Sequence, residues 1–257
     1  AWYAGTRGMV TTSGGGVALM GEGISLAGIT ESPLVIHLAQ RPGPATGLPT
    51  RTEQGDLNLA LYSGHGDFPR IILAPGQIEG AYQLSRQAFD WADRFQVPVF
   101  ILTDQYIMDT YYNIKELQVP TESIQHFIEK TEPDYRRYEL EVQDGISPRG
   151  IPGYGKGLVR LDSDEHNESG LITEDMPTRE KMVQKRLAKL NPIRDAALEP
   201  ELIGPSDYQT LFVGWGSTYS IIKEALDQVN KKATAFLHFQ QVYPLSEKTN
   251  EFLKKAE

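Results

Sequence analysis

Short apolar runs alternate with amphipathic stretches along the first part of the chain. The runs at 8–12, 33–39, 70–74 and 97–102 predict strands, and the second and fourth are apolar enough to be buried on both faces. Apolar residues recur at helical spacing over residues 78–95 and predict an amphipathic helix. Strands and helices alternate without hairpin signals. This order predicts an α/β fold, in which a parallel sheet carries helices on both faces.

The segments between the first strands carry helix signals. Ser13 and the glycines that follow it predict a strand-to-helix turn, which leads into one largely apolar helix at 17–27. Asp56 is expected to cap a short helix at 57–62, which ends at the glycines around His65.

The sequence changes character near residue 110, and we divide the chain into residues 1–110, 111–206 and 207–257. Residues 111–206 are charged and rich in proline and glycine, and they predict an extended connector in which only 178–190 forms a helix. Residues 207–257 predict a smaller C-terminal α/β domain, which we expect to continue further. Its elements would be strands at 210–213 and 233–239, a helix at 217–230 and a closing helix capped by Ser246.

Composition narrows the class of partner. A formal net charge of -9 and a pI near 5.1 argue against a nucleic-acid or anionic-membrane surface, which needs clustered Lys and Arg. No stretch approaches the roughly 20 apolar residues of a membrane span and no signal segment opens the chain, so we expect a cytoplasmic protein. Because cysteine is absent, an iron–sulfur cluster would have to belong to another subunit.

Residues 40–56 form the most distinctive stretch, which we call the central loop. It follows a buried strand, three prolines and several glycines shape it, and it carries two arginines, including Arg41, and three threonines. These side chains are suited to holding a carboxylate and a neighbouring oxygen. A turn without function has the same composition. The position favours a site, since ligands of α/β sheets lie beyond the carboxyl ends of the strands.

The remaining motifs are weaker. The glycine turns at 14–16 and 214–216 are not dinucleotide fingerprints, since Leu19 and Tyr219 replace the third glycine. The acidic stretch 162–166 is interpreted as a shaped loop and not as a metal site.

Three histidines are candidates for chemistry. His37 and His238 lie in predicted strands and are interpreted as core residues, whereas His65 either reaches the substrate or only forms part of a turn. Neither a nucleophile with its base nor a metal-binding motif is evident. The chemistry is therefore expected to come from a cofactor.

The central loop also carries a family resemblance. Its sequence Gln-Arg-Pro-Gly-Pro-Ala-Thr-Gly-Leu-Pro-Thr, followed by Glu-Gln-Gly-Asp-Leu at 53–57, resembles the signature of the α subunit of 2-oxoacid:ferredoxin oxidoreductases, particularly the 2-oxoglutarate type. Supporting pieces extend along most of the chain, at 12–16, 64–66, 98–104, 144–149, 164–166 and 214–218.

The resemblance implies a cofactor and a reaction. Residues 1–110 are similar to the domain that binds the pyrimidine of thiamine diphosphate, and 207–257 to a transketolase C-terminal domain. A β subunit would supply the diphosphate and Mg²⁺ site and a [4Fe-4S] cluster. Together they would convert a 2-oxoacid and coenzyme A to acyl-CoA and CO₂ and reduce ferredoxin.

The resemblance also implies roles for residues. Arg41 would hold the substrate carboxylate, with Thr46 and Thr50 lining the pocket. His65 is the further substrate-binding candidate. Ser13, Gly14 and Gly15 are the cofactor-binding candidates. Independently of the resemblance, the apolar helix at 17–27 and the long connector predict a second α subunit as a partner.

The catalytic carboxylate of the family is expected upstream of this chain, so we identify no catalytic residue. Glu22 is interpreted as a helix-face carboxylate and does not take that role. Two alternatives stay open: a subunit of another thiamine-dependent 2-oxoacid dehydrogenase or transketolase-like enzyme, and a non-catalytic scaffold.

Overall fold

The computed structural model describes residues 1–114, 116, 119, 124–229 and 233–255. The strands in chain order are β1 (Met9–Ser13), β2 (Leu34–Gln40), β3 (Ile71–Leu73), β4 (Pro98–Asp104), β5 (Glu201–Ile203), β6 (Thr210–Trp215), β7 (Thr234–Phe239) and β8 (Gln241–Tyr243). The helices are α1 (Gly14–Leu19), α2 (Gly21–Ile29), α3 (Leu57–Tyr62), α4 (Ile78–Phe95), α5 (Gln105–Asp109), α6 (Met176–Ala188), α7 (Leu190–Asp195), α8 (Thr218–Val229) and α9 (Thr249–Leu253). Short 3-10 helices occupy Trp2–Ala4 and Gln143–Gly145. Over these described residues, no helix has the length and apolar character needed to cross a membrane.

The main sheet has five strands in the order β1-β2-β4-β3-β8. The first four are parallel, as the alternating pattern predicts, and β8 adds to β3 in antiparallel orientation. The register pairs Ala39 with Thr103 and Gln40 with Asp104, so β2 and β4 end together. The predicted α/β fold is therefore confirmed.

Helices cover both faces of this sheet. Side chains of β2 and β4 alternate between the faces, which is why both strands consist almost wholly of apolar residues. On one face, Val35 and Val99 pack with α4 and with Ile193 of α7. On the other face, Ile36 and Phe100 pack with residues of α1, α2 and α3.

Three local predictions about helices are wrong. The apolar stretch 17–27 is not one helix, because α1 and α2 are separated at Met20 and glycine at position 21 weakens helix propagation there. Asp56 occupies the N-cap position of α3, but its side chain makes no capping hydrogen bond. Ser246 does not cap the closing helix, since α9 begins later and Lys248 occupies its N-cap position.

The region predicted as a connector contains more regular structure than expected. Its main helix, α6, begins at Met176, where the Asp175 carboxylate accepts a hydrogen bond from the Thr178 amide at 2.9 Å. Two further elements, α7 and β5, follow it. Both are short, and elements of three to six residues leave little periodic signal.

The second sheet has the order β5-β7-β6, with β6 and β7 parallel and β5 antiparallel to β7. The domain boundary at 206 stays a prediction. Strand pairing crosses it in both directions, because β5 precedes it while β8, which follows it, joins the main sheet.

A buried charged cluster attaches the connector to the main sheet. It consists of Glu31, Arg137, Lys185 and Lys189, each at most 5% exposed. The Glu31 carboxylate accepts hydrogen bonds from Lys185 at 2.7 Å and pairs with Lys189 at 2.5 Å, while its carbonyl accepts one from Arg137 at 2.9 Å. These contacts join the end of α2 to α6 and to the preceding connector.

Candidate functional site

The candidate site lies at the edge of the main sheet where the parallel strands end. β1, β2 and β4 end at Ser13, Gln40 and Asp104, and the registers pair Gln40 with Asp104 and Ser13 with the residue before Gln40. The central loop begins at this edge. Its position therefore matches the place where α/β sheets bind ligands.

The first half of the central loop is a tight turn. The Leu48 amide donates to the Pro42 carbonyl at 3.0 Å, and the Arg51 amide donates to the Leu48 carbonyl at 3.1 Å. Gly47 has a φ of 55°, and a Cβ there would lie 1.7 Å from the Pro42 oxygen. Only glycine fits this position. The peptide bond between Gly43 and Pro44 is cis.

The second half of the loop is attached to its surroundings. Gln40, only 1% exposed, donates from Nε2 to the Thr103 carbonyl at 3.2 Å and accepts at Oε1 from the Asp56 amide at 3.1 Å. The Thr52 hydroxyl accepts a hydrogen bond from the Tyr106 amide at 3.2 Å. These contacts connect the loop to β4 and to the start of α5.

The second sheet also reaches this site, which the sequence pattern does not predict. Gln54 Nε2 donates to the Trp215 carbonyl at 2.9 Å, and the Ser217 hydroxyl donates to the Asp104 carboxylate. The glycine turn at 214–216 was the sequence feature that could have indicated this contact. Its sequence identifies a tight turn but does not identify the loop that it contacts.

The substrate-binding candidates of the loop are accessible to solvent. Thr46 and Thr50 are exposed and Arg41 is partly buried. Within the described part of the chain, no hydrogen bond or ion pair occupies the Arg41 guanidinium or the hydroxyls of the two threonines. These three predicted residues therefore lie on one loop at the carboxyl edge of the sheet, and their binding of a substrate stays a prediction.

Asp56 lies near Arg41. Its Oδ2 is buried and has no hydrogen-bond partner among the described residues. Burial raises the pKa of this carboxyl, as does Glu53, while the nearby Arg41 guanidinium lowers it. The site therefore combines a cation able to bind a carboxylate with a carboxyl group whose charge is poorly solvated.

His65 is not joined to the central loop by any hydrogen bond that the structure describes. Its Nε2 lies 2.9 Å from the Glu22 carboxylate, and its amide donates to the Ser25 hydroxyl at 2.7 Å. Glu22 is an exposed helix-face residue. A substrate contact by His65 stays a prediction, and the turn itself accounts for the flanking glycines, whose φ angles are 87° and 78°.

The other two histidines lie in strands. His37 Nε2 contacts the Thr103 hydroxyl at 2.8 Å, and His238 Nε2 contacts the Gly216 carbonyl at 3.0 Å. Burial lowers the pKa of both imidazoles. They pack as part of the fold, as interpreted from the sequence.

The acidic stretch 162–166 is a shaped loop. Glu165 accepts hydrogen bonds from Arg186 at 2.8 and 3.0 Å and from Arg179 at 2.8 Å. Among the described residues no group of three or more potential ligands is placed to hold a metal ion. The Glu165 carboxylate instead forms ion pairs that join the connector to α6.

The comparisons with known proteins identify the family. A family described as "Pyruvate flavodoxin/ferredoxin oxidoreductase, thiamine diP-bdg" matches residues 1–185. The chain belongs to this thiamine-diphosphate-binding family. The predicted resemblance is therefore confirmed at the level of the family.

Relatives in this family have similar sequences and structures. The chain is 38% identical over 250 residues to subunit alpha of 2-oxoacid:ferredoxin oxidoreductase 2 from Aeropyrum pernix, covering 94% of this chain and 38% of that protein. It is 33% identical over 257 residues to the 2-oxoglutarate synthase subunit KorA from Archaeoglobus fulgidus, covering 99% and 67%. The solved 2-oxoglutarate:ferredoxin oxidoreductase from Magnetococcus marinus matches with a TM-score of 0.87 and 29% identity, covering 99% and 45%. The chain thus spans less than half the length of the first and third of these proteins.

The glycines after β1 allow a test of whether the site fits the cofactor of this family. A Cβ on Gly14 would lie 2.7 Å from the Asp56 carboxylate, and one on Gly16 would lie 1.8 Å from the Thr12 hydroxyl. A side chain at either position would therefore have to displace a neighbouring side chain. A Cβ on Gly15 would approach nothing closer than the Ala45 carbonyl, at 4.0 Å.

Gly15 has more open space beside it than Gly14 or Gly16 has. Ser13 occupies the N-cap position of α1 without making a capping hydrogen bond, so its hydroxyl is available for another partner. Ser13 and Gly15 are the two cofactor candidates that the geometry leaves open. Gly14 has a packing role, and its contact with a cofactor stays a prediction.

Proposed function

We propose that the chain is part of the α subunit of a 2-oxoacid:ferredoxin oxidoreductase. In this role it binds the substrate carboxylate and the pyrimidine side of thiamine diphosphate during oxidative decarboxylation to acyl-CoA and CO₂, with ferredoxin as the electron acceptor. The observation that carries the proposal is the Arg41 guanidinium, which lies on an anchored loop at the carboxyl edge of the sheet. The family match and the names of the relatives support it.

The residues of this chain would bind and orient the substrate. A guanidinium presents parallel N–H donors that match both oxygens of a carboxylate, and Thr46 and Thr50 supply neutral donors beside it. Thiamine diphosphate, when bound, supplies the carbanion chemistry that this chain lacks. By holding the carboxylate, Arg41 would fix the orientation of the bond that breaks when CO₂ leaves.

The preferred substrate is proposed to be 2-oxoglutarate. Relatives from Archaeoglobus fulgidus and Methanocaldococcus jannaschii are named 2-oxoglutarate synthase subunits. The structure from Magnetococcus marinus is described with 2-oxoglutarate, coenzyme A and succinyl-CoA bound. These names support the assignment of 2-oxoglutarate and coenzyme A as the substrates.

The activity is expected to require a second subunit. The chain contains no cysteine, so it supplies no thiolate to an iron–sulfur cluster. By the family resemblance, the cluster, Mg²⁺ and the diphosphate site would belong to a β subunit. We expect the protein alone to show no 2-oxoacid-dependent reduction of ferredoxin or a dye, and the complex with its partner to show it. Omitting the 2-oxoacid is the control. Turnover by the protein without its partner would contradict the proposal.

A second copy of the α subunit is a further proposed partner. Leu19 is 90% exposed and Leu26 is 43% exposed on the outer side of α1 and α2, next to edge strand β1. Exposed apolar side chains beside a strand edge are typical of an interface. We expect sedimentation to show a dimer or larger assembly that Leu19→Glu weakens. A monodisperse monomer at micromolar concentration would argue against this contact.

A further inference from the structure

Gln54 connects the central loop to the second sheet. Its Nε2 donates to the Trp215 carbonyl at 2.9 Å across 161 positions of sequence. The same carbonyl accepts a hydrogen bond from the Thr218 hydroxyl at 2.8 Å. Gly216 has a φ of 59°, and a Cβ there would lie 2.9 Å from Gln54 Nε2. The turn and the loop therefore approach each other at a place where a side chain on residue 216 would interfere.

The turn that receives Gln54 is itself fixed. Ser217 donates to Asp104 at the end of β4, and both side chains are buried. His238 of β7 contacts the Gly216 carbonyl from the other side at 3.0 Å. Since the turn is held by both sheets, it can serve as a rigid attachment point.

The central loop is anchored unevenly. Between Pro42 and Arg51, the described hydrogen bonds stay within the loop. The contacts with the rest of the protein lie at the two ends of the loop, at Gln40 before the turn and at Thr52, Gln54 and Asp56 after it. Gln54 contributes the contact with the second sheet. Because Gln54 follows Thr50 closely in sequence, a displacement of Gln54 would also displace the turn that carries Arg41 and Thr50.

We propose that Gln54 is a positioning residue, which holds the central loop against the turn at 214–218 and thereby sets the placement of Arg41 and Thr50. This inference rests on the proposed function of the loop. It assigns to the second sheet a part in substrate binding. Gln54 would act through the loop and would not touch the substrate.

Gln54→Met tests the inference because methionine keeps a similar shape and lacks the N–H donor. In the complex with its partner subunit, we expect the KM for the 2-oxoacid to rise about two- to tenfold, the effect of one neutral hydrogen bond, with a smaller change in kcat. The melting temperature should stay close to that of the wild type. Gln105→Met is the matched control, since Gln105 lies at the same edge and its side chain, among the described residues, bonds to Asp109 in its own helix.

Gln54→Glu provides a second measurement. The introduced carboxylate cannot donate a hydrogen bond to the Trp215 carbonyl, and an ordinary carboxyl stays ionised at neutral pH. We expect the KM of Gln54→Glu, relative to the wild type, to be raised at least as much as that of Gln54→Met.

Trypsin digestion provides a readout that does not depend on activity. Cleavage after Arg51 reports on the loop, whereas the bond after Arg41 precedes proline and resists trypsin. We expect Gln54→Met to accelerate cleavage after Arg51 at least about threefold, while Gln105→Met has no effect. If the wild-type complex turns over no 2-oxoacid, the proposed function fails, and this digestion alone decides the positioning role.

Two results would overturn the inference. One is unchanged KM together with unchanged cleavage after Arg51 in both Gln54 variants. The other is a fall in melting temperature with normal KM in the folded enzyme, which would make the contact a structural one only. An effect of Arg41 substitution without any effect of Gln54 substitution would leave the proposed function standing and would reject the positioning role.

Discussion

Replacing Arg41 with alanine is expected to lower kcat/KM for every accepted 2-oxoacid by about a hundredfold or more. Hydrogen bonds between charged groups each contribute about 1.5–3 kcal/mol, and the substrate carboxylate would lose a pair of them. A hundredfold loss corresponds to about 2.7 kcal/mol of transition-state stabilisation. The measurement is steady-state reduction of ferredoxin or a dye by the complex with its partner subunit, with several 2-oxoacids compared.

Other variants of the loop separate the effect of the paired N–H donors of Arg41 from the effect of its positive charge. Arg41→Lys keeps a point charge but not the paired donors, and we expect a loss of about tenfold. Thr50→Ala should be milder and should shift the choice among 2-oxoacids, because one neutral hydrogen bond contributes about 0.5–1.5 kcal/mol.

Arg51→Ala is the matched control in the same loop. Arg51 is exposed, and its guanidinium donates to the Thr50 carbonyl at 3.2 Å, so its removal should change kcat/KM less than about twofold. If Arg41→Ala stays within about twofold of the wild type at unchanged thermal stability, the central loop is a turn without a role in substrate binding.

The main sheet could be predicted because its strands are buried on both faces. β2 and β4 are continuous apolar runs, and α4 has a clear amphipathic pattern. Burial selects apolar residues at these positions, so the pattern can be recognised in the sequence itself. β5 and β8 have three residues each and gain their strand character from pairing with β7 and β3, so their own residues carry too little signal.

The candidate site could be predicted in part. The position of the loop after a buried strand, and the types of its side chains, were sufficient to single out Arg41. The contact between Gln54 and Trp215 depends on how two sheets pack, which no local pattern encodes. The same holds for Gly14, whose lack of a side chain is explained by the Asp56 carboxylate.

The buried charged cluster also escaped sequence analysis, because isolated Lys and Glu residues usually lie on the surface. Burial alone would raise the pKa of Glu31, but Lys185, Lys189 and Arg137 together lower it far below its usual range. Burial lowers the pKa of Lys189 to about 7, although Glu31 opposes this effect. The single carboxylate therefore compensates several buried cations.

Glu31→Gln is expected to destabilise the protein strongly, since the amide keeps the shape of the side chain and removes its charge. Removing one partner of a buried ion pair costs about 3–5 kcal/mol because the remaining charges stay buried without compensation. For a chain of this size the melting temperature should fall by about 10 °C. Glu199→Gln is the matched control, because Glu199 pairs with Lys248 on the surface and loss of this pair should change stability little.

The effect of Glu31→Gln should also depend on pH, in a direction set by the coupling between proton binding and folding. Lys189 has a pKa of about 7 in the folded protein and a normal value of 10.5, so the unfolded chain binds more protons between these values and this group makes stability rise with pH. Loss of Glu31 lowers the folded pKa of Lys189 further. The difference between wild type and variant is therefore largest below pH 7, where the wild type keeps the lysine protonated, and smaller near pH 9, where Lys189 is neutral in both. Thermal unfolding at pH 6 and pH 9 measures this difference, and a shift no larger than that of Glu199→Gln at either pH would show that the cluster does not hold the connector in place.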